Sequence, residues 1–401
     1  MSGVFLANVG NGSILLNARG RGNFVKPKNF VGLMNAYSQG MSGGDARFLE
    51  VVKRVSSFFD RVTIISSSLG VNVARVRGVT SHFVSTSNET KFSRVIPTYI
   101  IRALRAILLV GVVEDGDILY VSSDFVPDVF PAAFFKLRKK VRYVQMIFHI
   151  IPRSRPVSHY AQRVTHELAK VLADVVIVDN ELLREDLVQN GFRREKVILN
   201  PPGIDTYRAV SMPPIQRKFD ATFLGRLSQS KGIFDLVSVW KIVTEKLERA
   251  TLAIIGQGDG VTMRKLRTMI AENGLGEKIS VFAQDLNEER FGLLKSGKVF
   301  VFPSHEEGFG MAIVEAMACG MPVVAWNLPS YSASFSGGIV KIPRFDLRRF
   351  ANAVIEVLGN DHLRARLSDE AKEEAIRYEW DKIIPKELRI MMGSDELEVN
   401  A

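Results

Sequence analysis

A single cysteine, Cys319, stands among 401 residues, so the chain holds no disulfide framework and suits a reducing compartment such as the cytoplasm. Long apolar runs are also scarce. Residues 96–113 come nearest to a membrane span, but they carry Arg102 and Arg105 and are interrupted by Gly111, whereas a span needs roughly 18–20 apolar residues. Residues 1–20 lack a basic stretch followed by an apolar core, so no signal peptide is expected there. A complete dinucleotide fingerprint is missing too, because Gly256-Gln-Gly-Asp-Gly260 lacks its third spacing. We find no Ser/His/Asp or Cys/His triad. Cys319 reads as a small core residue.

What remains is a soluble globular composition, 46% hydrophobic and 24% charged, long enough for two domains with separate cores. The net charge of +10 is unevenly spread. Residues 1–200 hold 27 Lys and Arg against 16 Asp and Glu, and residues 201–401 hold 26 against 27. An excess confined to the first half suggests an anionic partner, a membrane leaflet or a lipid phosphate. The expected docking surface comprises Lys136-Leu-Arg-Lys-Lys-Val-Arg142, Arg153-Ser-Arg155 and an apolar-basic helix over 95–110. The alternative for that helix is a core element whose arginines reach solvent. Nucleic acid is not expected, since the basic clusters lack interleaved aromatic residues for base stacking.

Short apolar strands alternate with helical stretches, which predicts an α/β protein with parallel sheets. In the first half, strands are expected over 29–36, 61–66, 78–84, 117–122, 142–148 and 175–178, with helices over 95–110 and 129–139 and a helix ending near Phe59. In the second half, strands are expected over 219–224, 250–255, 278–282, 299–302 and 323–326, with helices over 233–246, 261–273 and 310–319. The turn Asn200-Pro-Pro-Gly-Ile-Asp205 separates the halves.

The most informative segment is Ser304-His-Glu-Glu-Gly-Phe-Gly-Met-Ala-Ile-Val-Glu-Ala-Met-Ala-Cys-Gly320. Gly308 and Gly310 permit close approach of backbone to a ligand. Glu307 precedes a helix N-terminus, where negative charge is favoured. Glu315 lies inside an apolar helix, where a carboxylate needs a partner from the protein or a ligand. His305 has no second histidine at helical spacing, so no metal site is expected. Upstream, Phe223-Leu-Gly-Arg-Leu-Ser-Gln-Ser-Lys-Gly232 puts Arg226 at a strand end and Lys231 at a helix start, both suited to phosphate. Gly256 and Gly258 make a turn after a strand, either lining a ligand pocket or merely tight. Gly43 and Gly44 open a helix near Asp45, as phosphate-approaching amides or as a capped turn. His149 closes a strand, either facing a ligand crevice or half buried and satisfied. Asp115-Gly-Asp117 precedes a strand and reads as a turn.

The paired glutamates, with Arg226, Lys231, Gly43-Gly44 and His149, resemble the motifs of retaining glycosyltransferases of the GT-B fold, family four. The resemblance implies two doubly wound, Rossmann-like domains facing a cleft: 29–202 on the acceptor side, 203–377 binding the donor, and a final helix over 378–401 packing back on the first. Residues 1–28 stand outside it as an extension of unknown role. It further implies metal-independent, cofactor-free transfer of a hexose from a UDP- or GDP-linked sugar to an acceptor hydroxyl. Arg226 and Lys231 would hold the diphosphate, and Glu315 the ribose. Glu307 with Gly308, Phe309 and Gly310 would hold the hexose, the Gly256–Gly258 turn would line the base or ribose pocket, and His149 with Gly43-Gly44 would complete the site. Ile150 stands where the family often has Asp. A cytoplasmic protein, peripheral on the inner membrane face, is expected. The alternatives are a nucleotide-sugar epimerase on the same fold and a non-catalytic relative that binds nucleotide sugar.

Overall fold

The computed structural model describes residues 4–9, 12–18, 29–38, 41–91, 94–216, 218–283, 289–393 and 397–400, the first two and the last stretches as backbone only. The chain divides into two compact units, residues 1–202 with 381–401 and residues 203–380.

The first unit begins with strands β1 (Val4–Val9) and β2 (Gly12–Ala18), an antiparallel pair. It continues through β3 (Asn29–Met34), α1 (Gly43–Val55), β4 (Arg61–Ser66), α2 (Ser68–Val76), β5 (His82–Ser85), α3 (Val95–Ile107) and β6 (Ile118–Val121). Then come α4 (Val126–Arg138), β7 (Arg142–Met146), α5 (Pro156–Leu172), β8 (Val175–Val178), α6 (Glu181–Gln189) and β9 (Val197–Leu199). Seven of these strands form a sheet in the order β5-β4-β3-β6-β7-β8-β9, every described pair parallel. The strand expected over 78–84 is the shorter β5. Gly78, with φ of 76°, instead follows the end of α2.

The second unit runs α7 (Thr206–Ser211), β10 (Ala221–Leu224), α8 (Ile233–Lys246), β11 (Leu252–Ile255), α9 (Gly260–Glu272), β12 (Ile279–Phe282) and α10 (Glu289–Leu294). It continues with β13 (Val299–Phe302), α11 (Met311–Ala318), β14 (Val323–Trp326), α12 (Pro329–Ser334), β15 (Ile339–Ile342), α13 (Leu347–Gly359) and α14 (Asp361–Ile376). Its sheet has the order β12-β11-β10-β13-β14-β15, again parallel throughout. Strands such as Val299-Phe-Val-Phe302 are buried along their whole length, because helices cover both faces of a parallel sheet and demand continuous apolar runs. Helix starts are written into the sequence: Asp259, Asp346 and Asn360 each accept a first-turn amide.

The chain then returns through α15 (Trp380–Met392) to the first unit and ends in β16 (Leu397–Asn400), which pairs with β2. Where it enters and leaves the second unit, Ile204 and Tyr378–Trp380 are joined by backbone hydrogen bonds of 2.7 and 3.3 Å. The Trp380 ring covers Gly203 so closely that an added Cβ would lie 2.3 Å from it. Back in the first unit, Glu387 of α15 meets buried Arg47 of α1 at 2.6 Å and also accepts from Tyr120 at 2.6 Å.

Candidate functional site

In each unit the strand order reverses once, between β3 and β6 and between β10 and β13. The loops leaving the carboxyl ends of such neighbouring strands diverge and leave a crevice. In the second unit these loops carry Arg226 after β10 and Glu307 after β13.

The two loops are stitched together. His305 N–H donates to the Ser230 carbonyl at 2.8 Å, and the His305 ring bonds Asp235 of α8 at 2.7 Å. Ser304 Oγ donates to Glu307 Oε1 at 2.9 Å, and Lys231 Nζ meets the same oxygen at 2.5 Å. Gly232 links Lys231 to α8 in the left-handed region, φ 71°, and a Cβ there would sit 1.8 Å from the Pro303 carbonyl oxygen. Only glycine meets both demands. Lys231 belongs to a short 3-10 turn, Gln229–Lys231, that precedes α8. Its ammonium lies on Glu307. Arg226 is exposed and has no hydrogen bond or ion pair among the described residues, so its guanidinium is available.

Helix α11 starts one residue later than expected, with Gly310 as a left-handed N-cap (φ 99°). Glu315 faces outward from its buried side and takes both Nε and Nη2 of Arg290, at 3.1 and 2.8 Å. Arg290 lies in the first turn of α10 and was not among the candidate residues of the sequence. The available signal was Glu315 itself, a carboxylate in an apolar helix that required a cation. The Cys319 thiol is pushed up to about 12 by burial and then by the neighbouring Glu315 carboxylate, which suits the core role. Phe309 enters the expected site through its main chain, between Gly308 and Gly310. Its ring is 5% exposed and packs on Phe335 and Tyr378 at centroid distances of 5.6 and 5.1 Å, leaving only its main chain to a ligand.

The Gly256–Gly258 turn lies against the β10 exit. Gly256, φ 146°, approaches so closely that a Cβ would be 1.8 Å from the Gly225 carbonyl oxygen, and Leu227 N–H donates to the Gln257 carbonyl at 2.7 Å. Arg226, between Gly225 and Leu227, therefore lies at this turn, and the same loop leaving β10 leads on to Lys231 and its partner Glu307.

The remaining candidates belong to the first unit. Gly43 and Gly44 are the first two residues of α1, capped by Ser42 and Asp45 in a reciprocal box, and their amides stand at a helix N-terminus. A Cβ on Gly44 would come within 2.6 Å of the Phe148 ring. His149, next to that ring, is exposed on the turn after β7. The first unit thus brings Gly43-Gly44 and the His149 turn together, as the second does Arg226, Lys231, Glu307 and the Gly256 turn. Asp117 accepts from Asn29 Nδ2 and Glu114 N–H, both at 2.8 Å, and closes the turn before β6. Among the described residues no group of three or more His, Cys, Asp or Glu has metal-binding geometry.

Residues 211–374 match the family model for glycosyl transferases group 1. A phosphatidyl-myo-inositol mannosyltransferase of Mycobacterium leprae is 31% identical over 172 residues, 42% of this chain and 45% of that protein. A GDP-mannose:cellobiosyl-diphosphopolyprenol alpha-mannosyltransferase of Xanthomonas oryzae is 27% identical over 196 residues, 48% of this chain and 50% of that protein. The chain spans about half the length of the curated relatives it matches. Among solved structures, Anabaena HepE in complex with UDP-glucose superposes with a TM-score of 0.75 at 16% identity, covering 91% of this chain and all of that one. The fold is GT-B.

Proposed function

We propose that this chain, a member of the glycosyl transferases group 1 through residues 211–374, moves a hexose from a UDP- or GDP-linked sugar to an acceptor hydroxyl with retention of configuration. The observation that carries the reading is the available Arg226 guanidinium on the same β10 exit loop as Lys231, which pairs with Glu307, at the strand-order reversal. A diphosphate placed there meets a bidentate cation in Arg226 and a compact one in Lys231. The Lys231 ammonium, shared with Glu307, would be drawn toward the leaving phosphate as charge develops, which stabilises departure. Glu315, oriented by Arg290, takes the ribose hydroxyls. Glu307 and the amides of Gly308 to Gly310 take the hexose. For the first unit the reading assigns His149 and the Gly43-Gly44 amides to the transferred sugar.

In the transfer, the bond from the anomeric carbon to the phosphate oxygen breaks. The acceptor oxygen bonds on the same face, and the acceptor proton passes to the departing phosphate. Neutralisation by Arg226 and Lys231 makes the reaction metal-independent in this reading. Incubation with a panel of UDP-, GDP- and ADP-sugars and a total lipid extract, read by mass spectrometry, tests it. Hexosyl addition to an acceptor is the expected product. Isomerised donor formed without acceptor would mark an epimerase instead, and donor binding without any product would mark a non-catalytic relative.

The acceptor side of the reading is an anionic membrane surface carrying a lipid-linked hydroxyl. Relatives named for phosphatidyl and diphosphopolyprenol acceptors support it, and so does α3. That helix contains no acidic residue, buries Arg102, Ala103 and Ala106, and turns Ile96, Ile100 and Leu104 outward, with Leu108 just past its end, each 49–81% exposed. Arg94, Arg105, Arg138 and Lys140 are exposed on and around α3 and α4, so an apolar ridge is framed by the charge that anionic headgroups attract. No helix among the described residues is long and apolar enough to cross a membrane.

A further inference from the structure

The turn that carries His149 is held by one buried side chain. Gln162, on α5 and 3% exposed, donates from Nε2 to the His149 carbonyl at 2.8 Å and accepts at Oε1 from Ile151 N–H at 2.8 Å. Its amide therefore bridges the main chain on both sides of Ile150. Nε2 also donates to Asp124 Oδ2 at 2.7 Å, and that oxygen accepts again from His166 Nε2 at 2.7 Å. Asp124 follows β6, the strand at the reversal of the first sheet, and Thr165 Oγ1 fixes its carbonyl at 2.7 Å. His159 Nδ1 donates to the Ile151 carbonyl at 2.7 Å. On the other side, the Phe148 ring lies against Gly44.

Both hydrogens and the oxygen of the Gln162 amide are engaged, and only one orientation satisfies them, since a flip would set its oxygen against a carbonyl and a carboxylate. Burying an amide, a carboxylate and an imidazole costs free energy that apolar packing would not. Such a network is retained where a backbone position must be fixed.

We propose that Gln162, braced by Asp124, is a positioning residue for the transfer reaction, holding the His149 turn so that the imidazole meets the transferred sugar in one geometry. The proposal rests on the assignment of His149 to that sugar. Its mechanism is orientation, in which a displacement of about 1 Å at the reacting centre is worth on the order of 100-fold in rate.

The test is a double-mutant cycle between Gln162→Glu and His149→Ala. The glutamate keeps length and shape, but removes both amide hydrogens and sets an oxygen against Asp124 and the His149 carbonyl. Gln162→Glu alone should lower kcat about 10- to 100-fold while the donor KM moves less than about 3-fold. In the His149→Ala background the same change should cost less than about 2-fold, because nothing is left to position. Hydrogen exchange at the Ile151 amide should quicken at least about tenfold in Gln162→Glu. If that variant fails to fold, Gln162→Met replaces it in both measurements. Additive losses in the double mutant, or an unchanged Ile151 exchange rate, would overturn the positioning role alone. A wild-type kcat in His149→Ala would overturn the assignment of His149, and the proposal with it.

Discussion

Glu307 and Glu315 each meet a base from a distant part of the chain, Lys231 and Arg290 respectively. For Glu315 the pairing has a stability consequence. Its carboxylate is 12% exposed on an apolar helix and the Arg290 side chain is 24% exposed. Removing the base leaves the carboxylate desolvated with its principal counter-charge gone. Arg290→Met should therefore destabilise the protein by about 1–3 kcal/mol, below the full penalty of a fully buried pair because solvent reaches this one. Adding Glu315→Gln should recover most of the loss, because an amide tolerates the site better than an unpaired charge. Urea denaturation of the three proteins measures both steps, and equal stability of Arg290→Met and wild type would refute the account of Glu315. At this scale the sequence disclosed the carboxylates and hid the partner. Glu315 announced its need through an apolar helix, whereas Arg290 stands 25 positions away in the short α10, with no spacing that ties the two together.

Elements set where these residues point. The turn 228–232 and the loop after β13 approach until Gly232 touches the Pro303 carbonyl, and that contact presents Lys231 to Glu307. Gly232→Ala must displace one loop or the other and strain its own φ, so a loss of about 2–4 kcal/mol is expected together with weakened donor binding. Gly260→Ala is the control. Gly260 has an ordinary φ and opens α9, and the nearest atom to an added Cβ is 3.6 Å away on the flexible Arg264 side chain. It should fall within about 0.5 kcal/mol of wild type, or gain slightly in helix propensity. Thermal melts of the pair decide this, and similar melting temperatures for both variants would contradict the close-approach argument. The strands of the second unit were legible in sequence because two covered faces force unbroken apolar runs such as Val323–Trp326. Helix α14 was not, because its buried residues, Leu367, Ala371, Glu374 and Ala375, are few among sixteen and leave only a faint apolar period. At β5, an apolar Val79 that packs after α2 looked like the start of a strand.

Across the whole molecule, the charge asymmetry of the sequence acquires a location. Of the basic residues in the first half, Arg94, Arg105, Arg138 and Lys140 are exposed on and around α3 and α4, and α3 turns apolar residues outward. Flotation with vesicles containing anionic lipid should show binding at low salt that weakens as ionic strength approaches 0.5 M, where the Debye length is on the order of 4 Å. Leu104→Glu should abolish that binding and leave hydrolysis of a soluble donor unchanged. Binding that survives Leu104→Glu, or self-association lost in that variant without any vesicle binding, would assign the ridge elsewhere. The return of α15 to the first unit rests on Arg47, buried on α1, whose guanidinium Glu387 and Tyr120 hold above its ordinary range against the cost of burial. Glu387→Gln should cost about 3–5 kcal/mol, because it leaves that cation buried without its counter-charge. Sequence indicated that the chain crosses back near Tyr378, but no pattern in Trp380–Met392 revealed that Arg47, more than 300 positions earlier, would receive it.

We propose that Arg226 and the Lys231–Glu307 pair form a diphosphate site. Calorimetric titration of UDP and of GDP into wild type and Arg226→Ala tests it most directly. The account predicts that at least one of them binds wild type and that Arg226→Ala weakens it by about tenfold or more, the worth of one charge-assisted bidentate contact. Equal affinity in the two proteins, or no binding of either nucleotide to wild type, would contradict it.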